Sequence, residues 1–103
     1  MDKETNYSSQ GEILEWENVE LPPEYKVIFH NDDFTTMEFV VDLLVTVFKK
    51  TIDDAVKIMS EIHTQGKGVV GIYSYDMAHT RTKVALHRAR ENKFPLRITV
   101  EEN

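Results

Sequence analysis

The chain contains no cysteine. Disulfides, thiolate metal sites and cysteine nucleophiles are therefore excluded, and a reducing, cytoplasmic setting is the expectation. Long apolar runs are missing as well, with nothing near the roughly 18 residues that would suggest a membrane helix. The opening MDKETNYSSQGE lacks the basic and apolar regions of a secretory leader. Bases are outnumbered, with 12 Lys and Arg against 18 Asp and Glu. They form no stripe of the kind a nucleic-acid binder carries. There is no GxGxxG or Walker-type loop, no HExxH, and no serine on a strand-to-helix elbow. Nucleotide binding, zincin chemistry and α/β-hydrolase chemistry thus lack support. No internal repeat is found.

What is present is an ordinary globular composition, 41% hydrophobic and 29% charged over 103 residues. That length suits one small domain with a single modest core. Charge is uneven along it. Residues 1–23 hold six acids and one base, whereas residues 24–103 hold twelve acids and eleven bases. The first stretch reads as a mobile acidic arm ending at the stiff Pro22-Pro23 pair. Its apolar residues Ile13, Leu14, Trp16, Val19 and Leu21 suit a partner-binding segment or loose docking on the body. The remaining residues, 24–103, read as the folded core.

Within the core, YKVIF at 25–29 is rich in strand formers. TTME at 35–38 fits a capping box, with Thr35 as cap and Glu38 reaching back. A helix to about residue 50 follows, with Met37, Val40, Val41, Leu44, Val47 and Phe48 as its buried face and Lys49-Lys50 against its dipole. Thr51 and Asp54 repeat the signal. A second helix runs to Gln65, with Ile52, Ala55, Val56, Met59 and Ile62 on one face and Gly66 as its stop. Residues 69–75 read as a strand in which Gly71 marks a bulge or a close approach. Asp76 caps a third helix to about residue 92, whose small residues Ala78, Thr82, Ala85 and Ala89 let it lie close on a sheet. Pro95 ends that segment, and LRITV at 96–100 alternates as a half-buried strand. The order β-α-α-β-α-β predicts an α+β fold, a two-layer α/β sandwich with a three-stranded antiparallel sheet and three helices on one face.

The stretch HNDDFTTMEF at 30–39 carries the most chemistry. Three readings of it remain open from the residues. His30, Asp32, Asp33 and His63 are candidate metal ligands or acid–base groups, although their spacing matches no metal motif. Asn-Asp-Asp before a capped helix is also ordinary turn material, with Asp33 expected to hold the loop, and this is the simplest account. The third reading is a pocket. Met59, Ile62 and His63 share one helical turn and, if the two helices pack side by side, face Asn31, Asp32, Thr35, Met37 and Val40. That would be an apolar cup rimmed by an amide, a carboxylate and an imidazole. It suits a ligand with a greasy side chain beside a cationic group, such as the first residue of a peptide. His79 and His87 read as surface residues of the third helix.

YKVIFHNDDFTTMEFVVDLL, MSEIHTQGKGVVGIYS and ARENKFPLRITVEE, in that order, resemble the ClpS family over about residues 24–102. The resemblance implies the fold of the ribosomal stalk protein's C-terminal domain. It implies an adaptor, not an enzyme and without a cofactor or metal. Such an adaptor delivers N-degron proteins to a ClpA- or ClpC-type unfoldase working with the ClpP protease, and is a monomer. By the same resemblance, Asn31, Asp32 and His63 hold the substrate's α-amino group. Thr35, Met37, Val40, Met59, Ile62 and Leu96 line a pocket for Leu, Phe, Tyr or Trp. Phe34, Asp76 and Arg81 face the unfoldase, where Asp76 and Arg81 stand in place of the family's usual Glu and Lys. The alternatives are an interaction domain of the same fold without a pocket, and a metal-dependent hydrolase.

Overall fold

The computed structural model describes residues 20–103. Most of the expected arm, residues 1–19, lies outside the described residues, while residues 20–24 are exposed and lead without regular structure into the sheet. The elements are β1 Tyr25–His30, α1 Met37–Thr46, α2 Ile52–Gln65, β2 Lys67–Tyr73, α3 Tyr75–Glu91 and β3 Arg97–Glu102. The order β-α-α-β-α-β is the one expected, and the sheet is antiparallel with strand order β2-β1-β3.

The central strand explains the layering. Its helix-facing side chains, Val27 and Phe29, are fully buried, and Ile98 of β3 shares their face. These residues join Leu43 and Leu44 of α1, Ala55 and Ile62 of α2, and Ala78, Ala85 and Ala89 of α3 in one cluster. Each large side chain removed from water there contributes about 1.5–3 kcal/mol. The small-residue stripe of α3 is buried as expected, and it lets the helix backbone approach the sheet. The bulge signalled near Gly71 is present. Val27 pairs with Gly71 but Ile28 with Val69, which leaves Val70 as the extra residue, turned into the core.

Several local expectations need correction. Helix α1 is capped by Thr36, whose hydroxyl accepts from the Phe39 amide, and not by Thr35. The Thr35 hydroxyl is already committed to Asp32. The same helix ends at Thr46, so Lys49 and Lys50 lie beyond its last turn. Val47 and Phe48 still reach the core, because both amides stay on the Leu43 carbonyl before the chain turns through a left-handed Lys49, and the Phe48 ring meets Phe29 edge-on at 5.5 Å. Met37 is half exposed, Val41 is only partly covered, and the fully buried Leu43 takes their place in the core. Ile52 and Val56 of α2 are also exposed, since α1 and the sheet cover only the arc through Ala55, Met59 and Ile62. Strand β2 begins two residues before the expected start. Ser74, not Asp76, caps α3, which leaves Asp76 inside the first turn where its charge favours the helix dipole.

Candidate functional site

The loop between β1 and α1 is held by one side chain. Asp32 Oδ1 accepts the Phe34 amide at 2.8 Å and the Thr35 amide at 2.7 Å, while Oδ2 accepts the Thr35 hydroxyl at 2.7 Å. Burial pushes the Asp32 carboxyl up. The bonds from Thr35 and Phe34, with the Arg90 guanidinium nearby, outweigh burial and hold it below the usual carboxylate range. Asp33 is exposed, so the loop-holding role expected of it belongs to its neighbour.

The loop is tied to the far end of α2 through the backbone. The Asn31 amide donates to the Gly66 carbonyl at 2.8 Å. Gly66 closes α2 in the left-handed region, at φ 90°, with its amide on the Ile62 carbonyl. Glycine is suited there because it lacks the Cβ that makes this region costly. The next close approach is at Gly68, where a Cβ would sit 3.0 Å from Ile62 Cγ1. The outcome is that Asn31 stands beside the last turn of α2, which carries an exposed His63.

The expected pocket residues differ in depth. Val40, Ile62 and Leu96 belong to the buried core cluster, and Met59 packs against it partly buried. Thr35 is half-buried in the loop, and Met37 is 49% exposed at the head of α1. Of the six, Met37 and Met59 are the flexible side chains, and Met37 is the one most open to solvent. Sequence reasoning missed two supports of this arrangement. Arg90 places its charge near Asp32 while donating to the Phe94 carbonyl at 2.9 Å. Phe39 packs on Phe94 with ring centroids 4.9 Å apart, tying α1 to the segment before β3. Neither link is readable from one-dimensional spacing.

The cluster considered for metal chemistry is not brought together. The His30 side chain lies on the opposite face of the sheet from the helices, its Nε2 2.8 Å from Thr99 Oγ1. Burial, then Arg97 and Lys67, push its imidazole below the usual value. Among the described residues no group of three His, Asp or Glu side chains is placed to hold a metal ion. The residues expected to face an unfoldase are also apart. Phe34 is 73% exposed in the loop at the His30 end of β1. Asp76 is exposed at the Tyr25 end, in the helix turn whose Tyr75 ring meets Tyr25 at 5.3 Å. Arg81 lies part-way along α3 with its guanidinium 5.5 Å over the Tyr73 ring.

Comparison with known proteins identifies the family. The family model described as "ATP-dependent Clp protease adaptor protein ClpS" matches residues 20–99. The chain belongs to the ClpS family. An ATP-dependent Clp protease adapter protein ClpS from Desulforapulum autotrophicum is 52% identical over 81 residues, covering 79% of this chain and 78% of that protein. The ClpS of Acetivibrio thermocellus is 51% identical over 80 residues, covering 78% and 81% of the two chains. Among solved structures, Agrobacterium tumefaciens ClpS2 bound to L-phenylalaninamide superposes with a TM-score of 0.77 at 37% identity. It covers 81% of this chain and 100% of its own. The family is that of the adaptors of the ATP-dependent Clp protease. No described helix is long and apolar enough to cross a membrane.

Proposed function

We propose that this chain is a cytoplasmic adaptor that binds proteins through a destabilising N-terminal Leu, Phe, Tyr or Trp. It hands them to a ClpA- or ClpC-type unfoldase acting with ClpP. The observation that supports the reading is the backbone bond from the Asn31 amide to the Gly66 carbonyl, which ties the loop to the end of α2, the helix that carries the exposed His63. The phenylalaninamide bound by the related ClpS2 supports it, because that ligand is an aromatic side chain with a free α-amino group.

An ammonium has three donors and no acceptor. In this reading the Asn31 carbonyl oxygen and an imidazole nitrogen of His63 accept from it, and the Asp32 charge attracts it. The first side chain enters between Thr35, Met37 and Met59 and descends onto Val40, Ile62 and Leu96. Burying it yields about 1.5–3 kcal/mol. Hydrogen bonds to a charged group contribute about 1.5–3 kcal/mol each. Losing one such bond therefore weakens binding roughly 10- to 100-fold. Val and Ile crowd at Cβ, so they fit a mouth narrowed by Met37 less well than Leu or Phe. The adaptor breaks no bond; the unfoldase hydrolyses ATP and the protease cuts. An unfoldase that touches both Phe34 and Asp76 spans the length of β1, roughly 17–20 Å, which a standard interface of about 800 Å² per partner covers.

The test is fluorescence anisotropy with a labelled peptide beginning in Phe, beside the same peptide N-acetylated. Binding of the free amine alone, reduced at least tenfold in Asn31→Ala and in His63→Ala, is the expected outcome. Equal binding of both peptides would instead favour an interaction domain that ignores the N-terminus.

A further inference from the structure

All three helices pack on the Val27 and Phe29 face of the sheet, and no described helix packs on the other. Cross-strand register assigns that bare face three rows. They are Ile72–Lys26–Glu101, Val69–Ile28–Thr99 and Lys67–His30–Arg97. Its exposed apolar residues lie on β2, where Val69 is 44% and Ile72 49% exposed, while Ile28 on the central strand is only 5% exposed. The charge on it is mostly positive, with Lys26, Lys67 and Arg97 against Glu101. Among the described residues the one ion pair within 4.0 Å is His87 to Glu91 on α3, so no described carboxylate lies within 4.0 Å of these bases.

We propose that this bare face docks the chain's own acidic N-terminal segment, residues 1–19. The complement is chemical. The segment carries five acids and one lysine, and it concentrates Ile13, Leu14, Trp16 and Val19 among Glu12, Glu15 and Glu17. A cationic face with exposed apolar residues matches an acidic segment with apolar side chains, both in charge and in pattern. The reach is sufficient. The segment joins the body through residues 20–24, which enter β1 at Tyr25, the Lys26 end of the face. Nineteen residues span up to roughly 60 Å when extended, and the face is roughly 17–20 Å long. The competing location is a cavity of about 660 Å³ beside Leu21, Pro23, Tyr25 and Tyr75. Its acidic residues, Glu24 and Asp76, repel a segment of the same sign.

Trp16 is the only tryptophan, so its fluorescence reports docking in the full-length protein without a label. At low salt its emission lies to the blue of a synthetic peptide of residues 1–23, independent of protein concentration. That shift is lost in the double variant Lys67→Glu, Arg97→Glu while far-UV circular dichroism stays native. It is lost equally in 1 M salt, where the screening length falls to about 3 Å. Methyl NMR gives a second reading that does not depend on charge reversal. The methyl resonances of Ile28, Val69 and Ile72 carry a ring-current shift that disappears in Trp16→Ala. Four results would overturn the proposal. They are peptide-like emission in the wild type at low salt, a blue shift that survives both charge reversal and salt, a shift abolished by Tyr75→Ala, which would put Trp16 in the cavity, and a shift that grows with concentration, which would put the segment on a second copy.

Discussion

Replacing Asp32 by alanine tests how the loop and the site depend on each other. The carboxylate accepts three short hydrogen bonds, from the Phe34 amide, the Thr35 amide and the Thr35 hydroxyl. Bonds to a charged group contribute about 1.5–3 kcal/mol each when measured singly. They share one acceptor, so they do not add. Asp32 is also only half-buried, and water replaces part of what is lost. The expected loss in Asp32→Ala is therefore about 2–3 kcal/mol. At roughly 4–8 °C per kcal/mol for a domain of this size, the melting temperature should drop by about 10–20 °C. Asp32→Asn keeps one carbonyl oxygen for the two amides and loses the charge, so it should cost about 1 kcal/mol.

The sign of the pH dependence provides a control. The folded-state carboxyl is held below its ordinary value. Its stabilisation is complete above the unfolded value of about 3.9 and disappears as pH falls through the folded value. Urea denaturation of wild type and Asp32→Ala should give a gap that is constant near neutrality and narrows below about pH 4. The variant should also bind the Phe peptide at least tenfold less tightly, since the backbone that positions Asn31 is no longer fixed. An Asp32→Ala protein within 0.5 kcal/mol of wild type, a bound well separated from the roughly 2 kcal/mol expected, would refute the assignment of Asp32 as the loop's anchor.

Three further outcomes are expected. Gly66→Ala meets nothing within 4 Å but must hold a left-handed backbone, so it should cost about 1 kcal/mol in urea melts. Because the Gly66 carbonyl accepts from Asn31, it should also weaken peptide binding. Thr82 Oγ1 is buried on the inner face of α3 without a hydrogen-bond partner among the described residues. Thr82→Val should therefore be neutral or stabilising by up to about 1 kcal/mol, read as a higher melting temperature. His30 has a folded pKa below its unfolded value. The fold should be most stable above about pH 6.5 and should weaken as pH falls from there toward the folded value, because the unfolded chain binds the proton first. Thermal melts between pH 5 and 8 should show this slope, and His30→Gln should flatten it.

The sequence made the helix pair readable where both ends carry their own chemistry. Thr51 and Gly66 bracket α2 because a hydroxyl cap and a left-handed stop each act within one turn. At the head of α1 two adjacent threonines satisfied the same pattern. The choice between them fell to Asp32, a contact that the capping rule does not include. The end of α1 ran on in the reading because Val47 and Phe48 keep the apolar period, although they reach the core from beyond the helix. Periodicity identified the apolar stripe of α2 but not how much of it would be covered, so Ile52 and Val56 were misjudged. The residues of the site were visible as a polar turn beside two apolar helices. The link between the turn and the end of α2 was not, because it is a backbone bond from Asn31 to Gly66, residues separated in sequence by both helices.

That bond explains why a turn and a recognition site need not be competing accounts of HNDDF. A rim that accepts an ammonium must present its acceptors in a fixed geometry, since each residue ordered only on binding costs about 1–2 kcal/mol of conformational entropy. Asp32 directs its hydrogen bonds inward, to Phe34 and Thr35, and so removes that cost before any ligand arrives. Asn31, one residue earlier, has its backbone fixed by Gly66, and the proposed function assigns its side chain to the ligand. The division of roles between these two neighbours makes a testable distinction. Asn31→Ala should lose binding with little change in stability, because its structural contribution is through the main chain. Asp32→Ala should lose both. If the two variants lost stability equally, the side chain of Asn31 would be part of the turn, and the rim would have to be sought elsewhere on α2.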